Sequence, residues 1–448
     1  MVSWNASYHF IAVGGMGMSA LAKILAEKGA TVSGCDVQEQ FMTKKDLQEH
    51  NVRVLVGQNA SHLNGVDYAV FSSAIKPNNI EFQAAMEMHV PLLHRSEILS
   101  DLMDDKLSIS VTGTHGKSST TGFIAQGLDL IGFEPTFIGG AVVNALGGNA
   151  KLGNGPVVGE VDESDGSLLR IPSSIKVILN LDDDHLSFYG SMENLASTMQ
   201  QYINGQPHSS IALLNYNDSL LKNMDPRSRK LYWYGYGAPD FCIDSIKLQG
   251  VHPIIDLKYN QQTFTILNNK IFGEHNGWNL GMAFSAMVMA GADPKRAADA
   301  LQNVETPRRR QQILGTLGKT EIMVDIALHP TEFRALREVF EKNNMNVLLV
   351  FQPHRYSRYK LLFSDFVEEL SKWPHVVITE IYPSDEPHED ISSYGMYEDV
   401  VTQEKYFIPD KEELFQFLPK ILSNFDVVLF AGLGNIGNWA EDFFSINK

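Results

Sequence analysis

The segment GTHGKSS, residues 113–119, constrains the fold of this chain more than any other stretch. It follows an apolar run and precedes a segment able to form a helix, which predicts a strand, a phosphate-binding loop and a helix in succession. Glycines let backbone N–H groups close on phosphate oxygens, Lys117 can reach terminal phosphates, and the Ser118 hydroxyl can bind Mg²⁺. The spacing is a short G-x-x-G-K-S. The residues expected to hold a nucleoside triphosphate such as ATP are Gly113, Thr114, His115, Gly116, Lys117, Ser118 and Ser119.

Length and composition place the chain among ordinary globular proteins of several domains. It has 448 residues, of which 44% are hydrophobic and 20% are charged, and a chain of that length is expected to form about three domains. With 36 basic and 53 acidic residues the net charge is −17, which repels nucleic acids and anionic membranes. We therefore expect neither as a partner. Composition leaves both a monomer and a dimer open.

Cysteine content and hydropathy predict a compartment. Cys35 and Cys242 are the two cysteines, too few for a disulfide framework, which favours a reducing environment. No apolar stretch approaches the roughly 20 residues that span a bilayer, and the first ten residues lack a signal-peptide pattern. These features predict a cytoplasmic protein.

Residues 8–36 predict a β-α-β unit with a glycine turn, GGMGMS, at its first junction. Gly14, Gly15 and Gly17 would let the backbone approach a diphosphate, and Asp36 could accept a hydrogen bond from a ribose hydroxyl. The spacing differs from G-x-G-x-x-G. A dinucleotide and a UDP-linked ligand therefore both remain open, as does a purely structural turn.

Alternation of strands and helices predicts an α/β protein of three domains. The first, residues 1–104, is Rossmann-like; the second, residues 105–313, is a P-loop ATPase domain with a parallel sheet; the third, residues 314–448, is again Rossmann-like. Within the second domain, four short extended segments after Tyr216 predict an antiparallel meander.

Acidic residues follow two neighbouring strands of the predicted central sheet. They are Glu160, Asp162, Glu163 and Asp165 after one strand, and Asp182, Asp183, Asp184 and His185 after the next. Like charges this close repel strongly unless a cation offsets them, and Mg²⁺ commonly bridges protein carboxylates to nucleotide phosphates. Glu163 and His185 are the expected metal ligands beside Ser118. The other reading is that about half of these acids are solvated loop residues.

Two basic clusters occur in the C-terminal half: Arg308, Arg309 and Arg310, and then His354, Arg355 and Arg358. Arginine binds phosphoryl and carboxylate oxygens in bidentate fashion and can stabilise charge that develops in phosphoryl transfer. A solvated basic surface is the competing interpretation.

The order of these signals resembles the Mur ligases. The resemblance covers nearly the whole chain and rests on GGMGMSALA, SSAI, HRSEIL, GTHGKSS, EVDESDGSL, NLDDDHLSFYG, GEHNGWN, PRRRQQILG, HPTE, FQPHRYSR and IYPSDEP. It implies an ADP-forming acid–amino-acid ligase of peptidoglycan and cell-wall synthesis, with ATP and Mg²⁺ as cofactors. HRSEIL and FQPHRYSR narrow the likeness to members that join L-alanine to UDP-N-acetylmuramate. The implied domains bind, in chain order, the UDP-sugar, ATP and the amino acid.

The resemblance also implies roles for individual residues. Around ATP they are His275, Asn276 and Asn279, with the catalytic groups Lys117, Arg308, Arg355, His354 and His329, the last as the proton acceptor. Around the UDP-sugar they are Gly15, Gly17, Met18, Ser19, Asp36, Ser73, His94 and Arg95.

The chain departs from the family pattern at a few positions, among them Ile326, Leu328, Asn435 and Ser187. These concentrate in the parts implied for domain closure and the amino-acid pocket. Three alternatives stay open. GEHN and RRR suggest a recycling ligase that adds a preformed tripeptide to the same sugar nucleotide, and the first glycine turn with Asp36 suggests a nicotinamide-dependent oxidoreductase. The departures at Ile326 and Leu328 suggest a nucleotide-binding protein with degraded activity.

Overall fold

The computed structural model describes residues 3–104, 106–183, 186–205, 209–225, 230–384 and 386–448. The chain forms two compact units. One comprises Met1–Lys247, Ile254–Lys270 and Asn276–Pro307, and the other comprises Leu248–Pro253, Ile271–His275 and Arg308–Lys448. In the described residues, no helix is both long enough and apolar enough to cross a membrane.

The N-terminal part of the first unit contains a parallel sheet of five strands in the order β3-β2-β1-β4-β5. The strand order reverses between β1 and β4, which is where ligands bind in such sheets. The elements are β1 (Ser7–Ile11), α1 (Met16–Glu27), β2 (Thr31–Asp36), α2 (Lys44–Glu49), β3 (Arg53–Val56), β4 (Tyr68–Phe71), α3 (Ile80–Glu87), β5 (Leu92–His94) and α4 (Arg95–Asp104).

The rest of the first unit is built on a ten-stranded sheet, whose last strand pair reaches residue 267. Its elements are β6 (Ser108–Thr112), α5 (Lys117–Leu130), β7 (Thr136–Val143), β8 (Gly148–Lys151), β9 (Val157–Glu160), β10 (Ile175–Ile178), α6 (Leu186–Tyr189), α7 (Met192–Asn204), β11 (Ile211–Asn215), α8 (Ser219–Lys222), β12 (Lys230–Tyr236), β13 (Phe241–Gln249), β14 (His252–Tyr259), β15 (Gln262–Leu267), α9 (Glu274–Met289) and α10 (Pro294–Leu301). The strand order is β15-β14-β13-β12-β11-β10-β6-β9-β7-β8.

The predicted antiparallel meander is partly wrong. Strand β12 pairs in parallel with β11 and with β13, so these strands extend the central sheet, and β14 with β15 forms an antiparallel pair. Short extended segments with alternating burial look the same in either direction, because the side-chain period of a strand is 2 whichever neighbour it has. The hairpin of β7 and β8 was not predicted.

Helix α1 of the N-terminal sheet packs against β7 and β8 of the central sheet. One hydrophobic core contains Met18 and Leu21 of α1 together with Ile138 and Ala150 of that hairpin. Asn149 of β8 adds polar contacts, because its amide donates to Met16 O at 2.8 Å and to Ser19 Oγ at 2.9 Å. The two sheets of the first unit therefore share a continuous interior.

The second unit carries a six-stranded sheet in the order β16-β17-β21-β18-β19-β20, parallel except for the β16–β17 pair. Its elements are β16 (Gln312–Leu317), β17 (Thr320–Asp325), α11 (Pro330–Lys342), β18 (Val347–Phe351), α12 (Tyr356–Leu361), α13 (Phe363–Leu370), β19 (His375–Ile378), α14 (Tyr394–Asp399), β20 (Glu404–Phe407), α15 (Lys411–Ile421), β21 (Val427–Ala431) and α16 (Ile436–Asn447). Hydrophobic clusters cover both faces of the sheet. The predicted α/β class with three domains is confirmed, and the boundaries at 104/105 and 313/314 stay a prediction.

Candidate active site

The phosphate loop lies at the carboxyl end of β6, between the carboxyl ends of β9 and β10. Both neighbours run parallel to β6, so the acidic segments that follow them meet the loop at one edge of the sheet. Sequence patterns predicted this convergence, since each segment follows a buried strand.

Two glycines let the loop turn. Gly113 and Gly116 have φ values of +127° and +83°, a region that favours glycine. Asn180, just after β10, fixes the loop by accepting from His115 N at 2.8 Å and donating to His115 O at 3.1 Å. Asn180 was not among the residues predicted for the site. Its signal was a polar side chain directly after a buried strand beside the phosphate loop.

Lys117 is held at the base of the loop by an ion pair with Glu163. Its Nζ lies 2.8 Å from Glu163 Oε1 and 2.7 Å from Gly113 O. Glu163 is only 1% exposed at its side chain, whereas Lys117 is 16% exposed. Burial alone would lower the pKa of Lys117, but the carboxylates of Glu163 and Asp162 outweigh it and the pKa rises. Lys117 is therefore a fixed cation at neutral pH.

A second pair crosses from the loop to the end of β10. His115 Nε2 lies 3.0 Å from Asp182 Oδ2, and Asp182 N donates to Thr114 Oγ1 at 2.9 Å. Ser118 and Ser119 begin α5 and are buried. The predicted metal ligand His185 lies outside the described residues, and so does Asp184.

Asn279 of α9 lies against the loop, because a Cβ added to Gly116 would come within 2.7 Å of Asn279 Oδ1. Asn279 Nδ2 donates to Asn276 Oδ1 at 3.1 Å. The two asparagines predicted to face the adenosine thus lie together beside the phosphate loop. His275 belongs to the second unit, where it contacts Gln311 with its Nε2 2.8 Å from the Gln311 amide nitrogen; burial lowers the pKa of His275 to about 4.

Replacing Gly116 with alanine is expected to raise the KM for ATP about ten-fold, a change of roughly 1.4 kcal/mol, because the added methyl group forces Asn279 and the loop apart. Gly132→Ala is the matched control, since Gly132 has a similar φ of +85° with no atom within 4 Å of an added Cβ. Both variants carry similar backbone strain. Steady-state kinetics in which Gly132→Ala and Gly116→Ala raise KM equally would contradict the contact.

Asp36 forms hydrogen bonds with the backbone around the first glycine turn. Asp36 Oδ2 accepts from Gly14 N at 2.9 Å and Oδ1 accepts from Gln38 N at 2.9 Å, so this carboxylate fixes the turn. Gly17, Met18 and Ser19 lie in the first turn of α1 rather than in the preceding loop, and Gly15 caps that helix. The predicted ribose contact of Asp36 stays a prediction.

Arg95 connects the glycine turn to the acidic segment after β9. Its Nη2 lies 3.0 Å from Asp162 Oδ2 and 3.8 Å from Asp165 Oδ2, and a Cβ added to Gly17 would come within 2.8 Å of its Nη1. Burial would raise the pKa of Asp162, but Arg95 and Lys117 lower it to about 2. Arg95 Nε is buried with no hydrogen-bond partner in the described part of the chain.

Ser73 and His94 lie together next to this segment. Ser73 Oγ is 3.0 Å from His94 Nε2 and also donates to Asp165. Burial lowers the pKa of His94 in spite of the Asp165 carboxylate, so its ring is neutral at pH 7. A cavity of about 240 Å³ is lined by Gly17, Arg95, Glu160 and Asp162 among others. Gly17 and Arg95 thus line this cavity, and Ser73 and His94 line a neighbouring one, so four of the residues predicted around the UDP-sugar lie along the acidic segment after β9.

The cationic residues of the second unit form two groups. Arg308 Nη2 lies 3.3 Å from Glu441, and Arg310 lies 3.9 Å from Glu332. His354 Nδ1 lies 3.1 Å from Arg358 Nη1.

Two further predicted residues of this unit begin helices. Arg355, with φ +65°, precedes α12, and His329 caps α11 by accepting from Thr331 N at 3.3 Å. Both therefore lie at the ends of strands or the starts of helices, where α/β sheets place functional groups.

Three family models match consecutive parts of the chain. The Mur ligase family catalytic domain matches residues 7–107, the Mur ligase middle domain matches 111–287, and the Mur ligase glutamate ligase domain matches 309–434.

Curated relatives and solved structures match over almost the full length. A UDP-N-acetylmuramate–L-alanine ligase of Dictyoglomus turgidum is 36% identical, covering 97% of this chain and 95% of the relative, and one of Aquifex aeolicus is 34% identical, covering 97% and 96%. The solved UDP-N-acetylmuramate-alanine ligase of Thermotoga maritima has a TM-score of 0.85 at 24% identity and covers 99% of each chain. A murein peptide ligase of Psychrobacter arcticus has a TM-score of 0.75 at 16% identity, again with 99% of each chain covered. At these identities the structures support the fold alone.

Proposed function

The chain belongs to the Mur ligase family, and from that premise we propose that it joins L-alanine to the carboxylate of UDP-N-acetylmuramate at the expense of ATP, a step of peptidoglycan synthesis. The observation that carries the proposal is the match to L-alanine ligases at 34–36% identity over 97% of the chain. Lys117, paired with Glu163, and Arg95, paired with Asp162, supply cations of the kind that bind phosphoryl oxygens, which supports the proposal.

The reaction has two steps. The muramoyl carboxylate attacks the γ-phosphorus of ATP, so that ADP leaves and an acyl phosphate forms. The amine of L-alanine then attacks the acyl carbon, phosphate leaves with the bonding pair, and the ammonium proton passes to a base. The protein contributes mainly positioning and electrostatic stabilisation. We propose His329 as the base, through Nδ1, which accepts from Thr331 N in this structure and would release that contact to take the proton.

The proposed roles of the cations follow from their charge and position. Lys117 would face the transferring phosphoryl group, because its ammonium group is largely buried and lies inside the phosphate loop. Arg308, Arg355 and His354 are proposed to offset charge that develops on the transferring phosphoryl group. Arg95 would hold the sugar nucleotide, since it lines the cavity beside the first glycine turn. Its Nε has no hydrogen-bond partner among the described residues and could donate to a ligand.

The donor set beside the loop fits Mg²⁺. Glu163 offers a buried carboxylate and Ser118 a hydroxyl at the start of α5, both oxygen donors of the kind that Mg²⁺ prefers. We propose these two, with His185, as the residues that hold it. When bound, Mg²⁺ would offset the negative charge of the nucleotide phosphates.

The experiment is a phosphate-release assay with omission of one component at a time. We expect release and a product of the expected mass only when ATP, Mg²⁺, UDP-N-acetylmuramate and L-alanine are all present. Glycine, L-serine, and a preformed tripeptide are tested as acceptors in parallel. Faster ligation of the tripeptide would favour the recycling reaction, and release that does not depend on the acceptor would contradict the proposal. ATP binding without amide product would indicate degraded activity, and stabilisation by NAD(P) instead of the UDP-sugar would indicate an oxidoreductase.

A further inference from the structure

Four side chains of the types that bind transition metals converge inside the N-terminal sheet, and the ligase reaction uses none of them. They are His9 on β1, Cys35 on β2, His62 after β3 and Glu81 in the first turn of α3. One ligand atom from each lies within 4.8 Å of all the others. His9, Cys35 and Glu81 are completely buried.

Glu81 lies at the centre of the cluster. Its Oε2 accepts from Cys35 Sγ at 2.7 Å and lies 3.3 Å from His9 Nε2, while its Oε1 lies 2.7 Å from His62 Nδ1. Asn59 N donates to the same Oε1 at 3.0 Å. Four groups from different elements are thus directed at one point in the interior.

The surroundings of His9 orient one of its nitrogens toward that point. Its Nδ1 lies 2.9 Å from Ser33 Oγ, and that hydroxyl donates to Tyr8 O at 3.3 Å. The contact with Ser33 holds the ring so that Nε2 is directed at the Glu81 carboxylate, 3.3 Å away, in the position of an imidazole-to-carboxylate hydrogen bond. Metal-binding histidines are oriented in this way by a hydrogen bond to their other nitrogen.

We propose that His9, Cys35, His62 and Glu81 form a structural Zn²⁺ site in the N-terminal domain. Two imidazoles, a thiolate and a carboxylate make up the nitrogen, sulfur and oxygen donor set that Zn²⁺ takes in four-coordinate sites, and a sulfur ligand disfavours Mg²⁺ and Ca²⁺. The ion would take the place of the proton between His9 Nε2 and Glu81 Oε2, which lie 3.3 Å apart, and the imidazole proton would move to Nδ1, where Ser33 Oγ accepts it.

Binding requires small shifts. Tetrahedral bonds of about 2.0–2.3 Å place ligand atoms roughly 3.3–3.7 Å apart, so the 2.7 Å contact between Cys35 and Glu81 widens by about 1 Å or less. The thiol proton of Cys35 is released to solvent as the thiolate binds. His62 provides the route of entry, because its side chain is 17% exposed.

The site would cross-link β1, β2 and α3 with a single ion. Metal that binds only the folded domain stabilises it by mass action. Without Zn²⁺, the same four side chains form a buried hydrogen-bond cluster. The experiment must therefore distinguish a metal site from a hydrogen-bond cluster that binds no metal.

The test uses the full-length protein, stripped with a chelator and dialysed. Zn²⁺ is titrated in competition with a chromophoric chelator, and Co²⁺ is used as a spectroscopic probe for thiolate ligation and tetrahedral geometry. The cluster variants are Cys35→Ser and His62→Asn. The matched controls are Cys242→Ser, which alters the other cysteine, and His89→Asn, which alters an exposed histidine of the same domain.

We expect one equivalent of Zn²⁺ for the wild type and both controls, with a thiolate-to-Co²⁺ charge-transfer band and a rise in Tm on adding Zn²⁺. In the cluster variants the affinity should fall by more than about 100-fold, since changes outside the ligand shell alone cost roughly 10–100-fold. Because serine is nearly isosteric with cysteine, Cys35→Ser keeps the fold, which circular dichroism checks. Zn²⁺ affinity that is unchanged by Cys35→Ser, or absent from the wild type, would overturn the proposal. Ligase activity is measured separately and does not enter this outcome.

Discussion

Lys117→Ala is expected to lower the turnover number about 10³-fold, because the variant loses the cation that would face the transferring phosphoryl group. The ammonium is held inside the loop by hydrogen bonds to Glu163, Gly113 O and Thr114 O. The KM for L-alanine should change much less, since the amine enters after phosphoryl transfer. Coupled ADP-release kinetics at saturating substrates measure both quantities.

The control for this prediction is Lys151→Ala. Lys151 also forms an ion pair, at 2.7 Å from Asp129, but on the hairpin of β7 and β8, and its loss should leave turnover within about two-fold. Lys117→Ala also leaves the Glu163 carboxylate without its lysine, which costs about 3–5 kcal/mol of stability. The double variant Lys117→Ala/Glu163→Gln should recover thermal stability, and only its stability is compared, because Glu163 is also a proposed Mg²⁺ ligand. Turnover of Lys117→Ala that stays within about two-fold of the wild type, at a temperature where the variant is folded, would contradict the role of Lys117.

Arg95→Ala is expected to raise the KM for UDP-N-acetylmuramate about 10–100-fold, because hydrogen bonds between charged groups contribute roughly 1.5–3 kcal/mol. The guanidinium lies between the first turn of α1 and the acidic segment after β9, where it pairs with Asp162 at 3.0 Å. Its removal also unpairs Asp162, so a smaller fall in kcat should accompany the change. Initial rates at varied sugar-nucleotide concentration separate the two effects.

Two further variants sharpen this second prediction. Arg95→Lys keeps the charge but loses the planar fork, and it should recover only part of the binding. Arg53→Ala removes an exposed arginine of β3 in the same domain and should leave KM unchanged. A KM for ATP that rises as much as the KM for the sugar nucleotide would contradict a role for Arg95 at the sugar-nucleotide pocket.

The parts of the fold that sequence predicts well are those set by local chemistry. A buried strand, a glycine turn and a helix follow one another at β1–α1 and again at β6–α5, and each step uses residues adjacent in sequence. Because carboxyl ends of parallel strands share one edge, the meeting of Glu163 with Lys117 also follows from the pattern.

The sequence does not predict features that depend on which strands lie next to each other in the sheet. The direction of β12 and β13 depends on which strand each one joins, and neither segment encodes its partner in its own alternation. The same holds for Asn180, whose amide matches the His115 peptide group only after β10 has been placed beside β6. The backbone contacts of Asp36 were likewise not predicted: its carboxylate accepts from Gly14 N and Gln38 N, and its predicted ribose contact stays a prediction.

The contact of Asn149 with the start of α1 has a consequence for domain exchange. One amide from the central sheet grips the peptide oxygen of Met16 and the hydroxyl of Ser19, while Lys23 of the same helix reaches Gly147 O at 3.2 Å. The interface between the two sheets therefore depends on residues of both. A chimaera whose first hundred residues came from a related protein would change only the α1 side of this interface, so residues of the β7–β8 hairpin would have to be substituted as well.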